Sequence, residues 1–321
     1  MLQRMLGSHS KIFTRPEPHM LTPLAYLGYH DTVEKAPYDH INAAKATREF
    51  VDALPRGEED YLDALRSYTD RLYSGILDGR DERYFMDKTP AYGLVLPFVT
   101  RLLPNAKYIV LTRHPMAILS SYANSFFEGD YEAAYAFNPI VHRYVPAIGK
   151  MLREKSVPFV HVRYEDVVSD PSSKLKGIFE HLDLEHEESA VDYGSHKHEK
   201  GSFGDPKVDD HSRPVTKSKE RWATEMVADA SKLEMARQIV SELDPEDLEA
   251  WGYPVDDIFE PLDRVRGETQ PGPEKSLRWQ LNPYRLQRKV LLSLRKDIHT
   301  SNFGKAVRKV RYYCDVLLRE S

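Results

Sequence analysis

Short apolar runs alternate with longer segments of helical spacing, and this alternation constrains the fold more than any other feature of the sequence. The runs at 107–112 ("KYIVLT") and 157–162 ("VPFVHV") have the length and β-branched content of buried strands. The segments between them place apolar residues three and four positions apart, as amphipathic helices do. Strands that are separated by helices join as parallel crossovers. The sequence therefore predicts an α/β fold in which a parallel sheet carries helices on both faces.

The same criteria predict the remaining elements. Two further short strands are expected at 11–14 and 83–86. Helices are expected at 2–7, 58–77, 92–103, from 115 onward, and at 139–155, 172–182 and 228–243.

Composition narrows the class of protein. The 321 residues are 41% hydrophobic and 30% charged, as in an ordinary globular chain, and the formal net charge of −5 gives no general basis for binding nucleic acid. The single cysteine, Cys314, excludes a disulfide framework and a cysteine-based zinc site, and it suits a reducing, cytoplasmic location. No apolar run reaches the ~18 residues of a spanning helix. The N-terminal "MLQRMLGSHSKIF" lacks the features of a signal peptide.

The strand at 107–112 ends in an arginine that a helix follows closely. Arg113 comes directly after the apolar run, Pro115 suits the first turn of a helix, and Ser121 lies two turns further on. In open α/β sheets ligands bind beyond the carboxyl ends of the strands, and a helix N-terminus favours an anion there. Arginine and a serine hydroxyl are good ligands for phosphate. The spacing alone leaves two interpretations open: a phosphate site, or an arginine paired with a structural carboxylate.

The motif "LTRHPMAILSSY" resembles the 3′-phosphate-binding segment of sulfotransferases that use 3′-phosphoadenosine 5′-phosphosulfate (PAPS). In that family an arginine ends a strand and a serine eight residues later completes the phosphate site, so the resemblance assigns these roles to Arg113 and Ser121.

Three further segments agree with this family in order and spacing, and the resemblance covers roughly residues 1–225. "FMDKTPAY" resembles the element near the transferred group and supplies Lys88 and Thr89. "VRYEDVVSDP" resembles a structural segment that follows a core strand. "EKGSFGDPK" resembles the loop that closes over the nucleotide and supplies Lys200 and Gly201. The resemblance implies the P-loop-type sulfotransferase fold, PAPS as the sulfuryl donor, and no metal.

One element of the family has no counterpart in this sequence. Sulfotransferases carry a loop like "PRSGTT" after their first strand, which holds the 5′-phosphosulfate on backbone N–H groups; neither this loop nor a Walker-type motif is found here. We expect the chain to begin just downstream of that loop, without the first strand. A start codon assigned too late and a real loss of the segment both remain open.

The resemblance also implies catalytic residues. Related enzymes place a catalytic Glu or His just beyond the strand that corresponds to 11–14. The resemblance therefore gives Glu17 as the expected general base and His19 as the next candidate. Lys88 is expected to stabilise charge on the sulfuryl group or the leaving oxygen. A helix-capping role for Glu17 and a solvated Lys88 are the structural alternatives.

The character of the chain changes after about residue 190. A glycine-, proline- and charge-rich loop comes first, the stretch 261–274 has the composition of a linker, and residues 275–321 hold twelve Lys/Arg against three Asp/Glu. We expect a sulfotransferase-like domain at 1–260, followed at 261–321 by a linker and a basic helical extension. Apolar spacing in "YRLQRKVLLSLRK" favours a packed or interfacial helix over disorder. Packing on the domain, peripheral contact with an anionic membrane and contact with an acidic partner all remain open.

The sequence thus predicts a PAPS-dependent sulfotransferase that acts on a hydroxyl or amine of a small-molecule, carbohydrate or lipid-linked acceptor. The alternative is a non-catalytic sulfotransferase-like remnant that binds a nucleotide or a partner. The predicted site consists of the catalytic residues Glu17, His19 and Lys88 and of the nucleotide-binding residues Arg113, Ser121, Lys200 and Gly201.

Overall fold

The strands of the fold form two parallel pairs. A computed structural model describes residues 1–14, 24, 47–196, 198, 212–216, 219–268 and 302–317. Strand β1 (Ile12–Thr14) pairs with β2 (Tyr84–Met86), and β3 (Tyr108–Thr112) pairs with β4 (Phe159–Arg163). Within the described residues these are two separate two-stranded sheets. The predicted α/β class with parallel strand pairing is confirmed.

Helices separate the strands and follow them. They are α1 (Leu2–Leu6), α2 (Glu58–Leu77), α3 (Leu96–Leu102), α4 (Pro115–Phe126), α5 (Tyr131–Phe137), α6 (Ile140–Glu154), α7 (Tyr164–Ser169), α8 (Pro171–His181), α9 (Arg221–Val227), α10 (Ala230–Ser241), α11 (Pro245–Trp251), α12 (Glu260–Glu268) and α13 (Asn302–Leu317). A 3₁₀ helix at Pro90–Leu94 precedes α3, and two short ones follow α8 at Glu188–Val191 and Tyr193–Ser195.

Helices cover both faces of the β3–β4 pair, as predicted. Successive strand residues point to opposite faces. Ile109 therefore packs with Val162 and Phe179 in the cluster formed with α1, α7 and α8, whereas the neighbouring Tyr108 packs with α2 and α3. Between the two strands, the Thr112 hydroxyl lies 2.8 Å from His161 Nε2. The carboxyl ends of β3 and β4 are thereby fixed side by side.

Helices from the C-terminal half complete the largest core. Helices α9 to α12 bury apolar side chains against α4, α5 and α6, with Met226 and Leu248 among the most enclosed. The contact between α6 and α11 is close, because a Cβ atom at Gly149 would lie 2.7 Å from Asp247 Oδ1. Arg153 of α6 forms an ion pair with the same buried aspartate.

Helix α12 lies where the sequence predicts the start of a linker, at 261–274, and differs from that prediction. Leu262 and Val265 are 0% and 6% exposed, and both belong to the core of α4 to α6. The first eight residues of that stretch are therefore part of the packed domain, although the division into 1–260 and 261–321 stays a prediction. Helix α13 confirms a helical C-terminal extension, whereas 284–296, expected as a helix, lies outside the described residues. No helix in the described part of the chain is long and apolar enough to cross a membrane.

Candidate functional site

Arg113 lies at the carboxyl end of β3, beside the end of β4. Its guanidinium carbon is 4.4 Å from the centre of the ring of Tyr164. Tyr164 is the first residue after β4. Arg113 Nε is buried and has no hydrogen-bond partner within the described residues. A buried guanidinium N–H without an acceptor is costly. The arrangement suits an anion that accepts from this arginine.

The backbone around Arg113 is held by residues from distant parts of the chain. The indole N–H of Trp251 donates to the Arg113 carbonyl oxygen at 2.8 Å. The backbone N–H of His114 donates to Glu165 Oε1 at 3.3 Å, and the hydroxyl of Tyr253 donates to the other oxygen of the same carboxylate. Glu165 therefore joins two segments and has a structural role, as the resemblance implied.

His114 is a neutral, buried part of this support. It is 4% exposed, and its ring stacks on Trp222 with 4.3 Å between the ring centres. His114 Nε2 lies 2.8 Å from the carbonyl oxygen of Ile258, which only accepts, so this nitrogen carries the proton. Burial lowers the pKa of His114 to about 4. At neutral pH the ring adds no charge next to Arg113.

Helix α4 begins directly behind Arg113 and carries both serines. Ser120 is buried and its hydroxyl donates to Glu225 Oε2 at 3.0 Å, while Lys232 Nζ donates to Glu225 Oε1 at 2.7 Å. Burial alone would raise the pKa of Glu225, but hydrogen bonds from Lys232, Asn124 and Ser120 outweigh it and lower that pKa. Ser121 is partly exposed, and its hydroxyl makes no hydrogen bond to the part of the chain that the structure describes. Of the two serines, Ser121 is the one that remains available to a ligand.

Lys88 lies at the end of the other strand pair, two residues after β2. The carboxylate of Asp87, next to it, accepts from the hydroxyls of Tyr73 at 2.6 Å and Tyr92 at 2.8 Å through a single oxygen. Burial and the Asp87 charge raise the pKa of Tyr73, so its hydroxyl stays a donor. These bonds attach the end of β2 to α2 and to the 3₁₀ helix at Pro90–Leu94. They fix the backbone from which Lys88 extends.

Three of the predicted site residues are described: Lys88, Arg113 and Ser121. The others, which are Glu17, His19, Lys200 and Gly201, lie outside the described residues. Thr14 at the end of β1 is the register partner of Met86, so β1 and the strand before Lys88 end at the same edge. Among the described residues no group of three or more His, Cys, Asp or Glu could hold a metal ion.

Sequence reasoning missed the residues that support Arg113 and the neighbouring His114, namely Trp222, Trp251 and Tyr253. Motif and periodicity arguments concern neighbours in sequence. Trp251 is 138 residues from Arg113, and nothing in the local pattern around either residue links them.

Comparison with known proteins gives three findings. Residues 1–188 match the sequence model described as "Sulfotransferase family". Nodulation protein NoeE of Sinorhizobium fredii is 33% identical over 121 residues, which are 38% of this chain and 27% of NoeE; the match thus spans about a quarter of that relative. Two solved structures also resemble the chain: the sulfotransferase domain from the curacin biosynthetic pathway (TM-score 0.49, 21% identity, 76% of this chain and 93% of that chain) and the sulfotransferase domain from the Synechococcus PCC 7002 olefin synthase (TM-score 0.48, 22% identity, 76% and 90%).

Proposed function

The chain belongs to the sulfotransferase family, and we propose that it moves a sulfuryl group from PAPS to a hydroxyl or amine of an acceptor. Membership of this family supports a transferase. The identity of the donor, the class of acceptor and the roles of the catalytic and binding residues are our proposal.

The observation that carries the proposal is the state of Arg113. Its Nε is buried without an acceptor in the described chain, it lies beyond a strand end, and a helix N-terminus follows two residues later. An anion supplies the missing acceptor and is favoured by the helix dipole. We assign this position to the 3′-phosphate of PAPS, with Ser121 as a second ligand and with Lys200 and Gly201 as further contacts from the loop.

The chemistry needs little covalent participation by the protein. When bound, PAPS supplies an activated sulfuryl group: an acceptor oxygen or nitrogen forms the new bond to sulfur as the bridging phosphate oxygen leaves with its electron pair. Catalysis then rests on positioning and on charge stabilisation, as in phosphoryl transfer. Glu17 takes the acceptor proton, with His19 as the second candidate, and Lys88 offsets the negative charge near the sulfuryl group.

The acceptor class is the least constrained part of the proposal. We propose a small-molecule, carbohydrate or lipid-linked acceptor. Helix α13 supports access to a lipid surface, because Val310 and Tyr313 are 61% and 52% exposed on a helix that also presents the exposed Lys305 and Lys309. Apolar side chains among lysines favour peripheral contact with anionic lipid.

The decisive experiment is calorimetric titration with 3′-phosphoadenosine 5′-phosphate (PAP) and, in parallel, with adenosine 5′-phosphate (AMP). We expect the wild-type protein to prefer PAP. Arg113→Ala should weaken PAP binding by about 10- to 150-fold, since a charge-assisted hydrogen bond contributes about 1.5–3 kcal/mol, and should leave AMP binding nearly unchanged.

The matched control is Arg143→Ala, which removes an exposed arginine on α6. Its PAP and AMP affinities should equal those of the wild type. Equal losses of PAP and AMP affinity in Arg113→Ala would contradict the assignment of Arg113. Failure of the folded wild-type protein to bind PAP would overturn the proposed donor.

A further inference from the structure

The carbonyl oxygen of Arg113 accepts a hydrogen bond from the indole of Trp251, far outside the residues that the family comparison matches. We propose that Trp251 is a positioning residue that sets the orientation of Arg113 toward the 3′-phosphate, and that Tyr253 reinforces it. The inference rests on the proposed nucleotide site. It adds that the site is incomplete without the segment that ends α11.

The peptide unit at Arg113 lies between two regular elements, and neither of them holds its carbonyl. Strand β3 ends at Thr112, where the ladder to β4 also ends. Helix α4 takes up the next carbonyl, because the N–H of Ile118 donates to His114 at 3.0 Å. The Arg113 carbonyl falls between the two, and the 2.8 Å bond from Trp251 holds it, while the N–H of the same peptide unit, that of His114, donates to Glu165.

A second anchor from the same segment acts on the N–H of the same peptide unit, through Glu165. Tyr253 donates to Glu165, which accepts from the His114 N–H through its other oxygen. Glu165 directly follows Tyr164, whose ring lies against the Arg113 guanidinium. Movement of residues 251–253 would therefore displace both the backbone of Arg113 and the ring against which its side chain packs.

The anchoring segment is itself rigid, so it can impose a position on Arg113. Trp251 is 3% exposed, and helix α11 is fastened to α6 at Asp247 by the Arg153 ion pair and by the close approach of Gly149. Gly252 ends the helix with a φ of 89°, a backbone conformation that residues other than glycine rarely adopt. This residue turns the chain toward Tyr253. The contacts of α11 with α6 therefore position the Trp251 side chain independently of its bond to Arg113.

The test compares Trp251→Phe with the wild-type protein in the same PAP and AMP titrations. Phe keeps an aromatic ring in the core and removes the N–H donor. We expect PAP affinity to fall about three- to tenfold, the range that one lost hydrogen bond gives, with AMP affinity within about twofold of wild type. Tyr253→Phe, which loses only a hydroxyl, should shift the ratio of PAP to AMP affinity in the same direction. This variant replaces Trp251→Phe in the test if Trp251→Phe folds poorly.

The matched control is Tyr108→Phe at the opposite end of the same strand, where the hydroxyl donates to Leu103 at 2.9 Å. It removes a similar buried hydrogen bond and should leave the PAP-to-AMP ratio at the wild-type value. A purely structural role of Trp251 would lower both affinities together, in proportion to the folded fraction. An unchanged ratio in Trp251→Phe and Tyr253→Phe, with a wild-type protein that discriminates, would overturn the inference.

A measurement without ligand separates this inference from the proposed function. Hydrogen exchange of the amides at 113–118 should be faster in Trp251→Phe than in the wild type or in Tyr108→Phe. If the wild-type protein does not distinguish PAP from AMP, the proposed function fails and the exchange result decides the inference alone. Faster exchange confined to 113–118 then supports the role of Trp251 in fixing the Arg113 backbone, and unchanged exchange overturns it.

Discussion

At the end of β3, Arg113 is held by Trp251, 138 positions away in the sequence. At the end of β2, Asp87 is held by Tyr73 and Tyr92, only 14 and 5 positions away. The proposed nucleotide end of the site is therefore built by distant segments, whereas the end that carries Lys88 is built within one short stretch of chain.

This difference has a consequence for substitutions. Changes in α9 to α12 should reach the nucleotide end through the contacts behind Arg113 and leave the β2 end unaffected. Changes at the tyrosine–aspartate contacts should do the reverse. The two ends should thus be separable by measuring nucleotide discrimination and turnover independently.

The largest expected effect concerns turnover at the β1–β2 end. Glu17→Gln removes the proposed general base and should lower kcat by about 10²–10⁴-fold, with PAP affinity unchanged. The measurement is sulfuryl transfer under saturating PAPS, with Glu154→Gln on the exposed end of α6 as the control. Unchanged turnover would move the base role to His19, and a parallel loss of PAP affinity would break the separation of the two ends.

The next effect is a pH dependence at the nucleotide end. Burial holds the pKa of His114 at about 4, whereas in the unfolded chain it is about 6.5, so between these pH values the unfolded chain binds more protons. Stability should therefore fall as the pH falls from 6.5 to 4, by about 3 kcal/mol for this group. Urea unfolding at several pH values should show a smaller drop in His114→Gln than in the wild type.

If His114→Gln and the wild type lose the same stability on acidification, His114 is not the group that titrates.

The smallest effect is expected at the local contacts of β2. Asp87→Asn weakens two hydroxyl–carboxylate hydrogen bonds and should lower the free energy of unfolding by about 1–2 kcal/mol. Turnover should fall because Lys88 follows directly, while the ratio of PAP to AMP affinity stays at the wild-type value. Asp78→Asn, at an exposed position after α2, is the control. A changed PAP-to-AMP ratio would mean that the two ends are coupled.

Local signals predicted the elements that position the site. Helix α2 was expected at 58–77 and lies at Glu58–Leu77, and the strand expected at 107–112 lies at Tyr108–Thr112. These predictions succeed because apolar spacing within one element reports the face that it buries. The placement of Arg113 beyond a strand end follows from the same signal.

The linker and the C-terminal support could not be predicted, because both depend on tertiary contacts. Proline, glycine and charge in 261–274 are typical of a linker, yet Leu262 and Val265, three positions apart, supply a narrow apolar stripe that the core buries as α12. Likewise, a buried tryptophan near residue 250 indicates a core position but not which carbonyl its N–H will meet.

The bond from Trp251 to Arg113 also sets an order of events during synthesis. A ribosome that adds roughly 5–20 residues per second needs about 7–28 s to extend the chain from the arginine to its distant partner. Until then the nascent chain contains the proposed phosphate-binding arginine without the hydrogen bond from Trp251. Nucleotide affinity should therefore appear late in translation, once Trp251 has been added to the chain and has packed against Arg113.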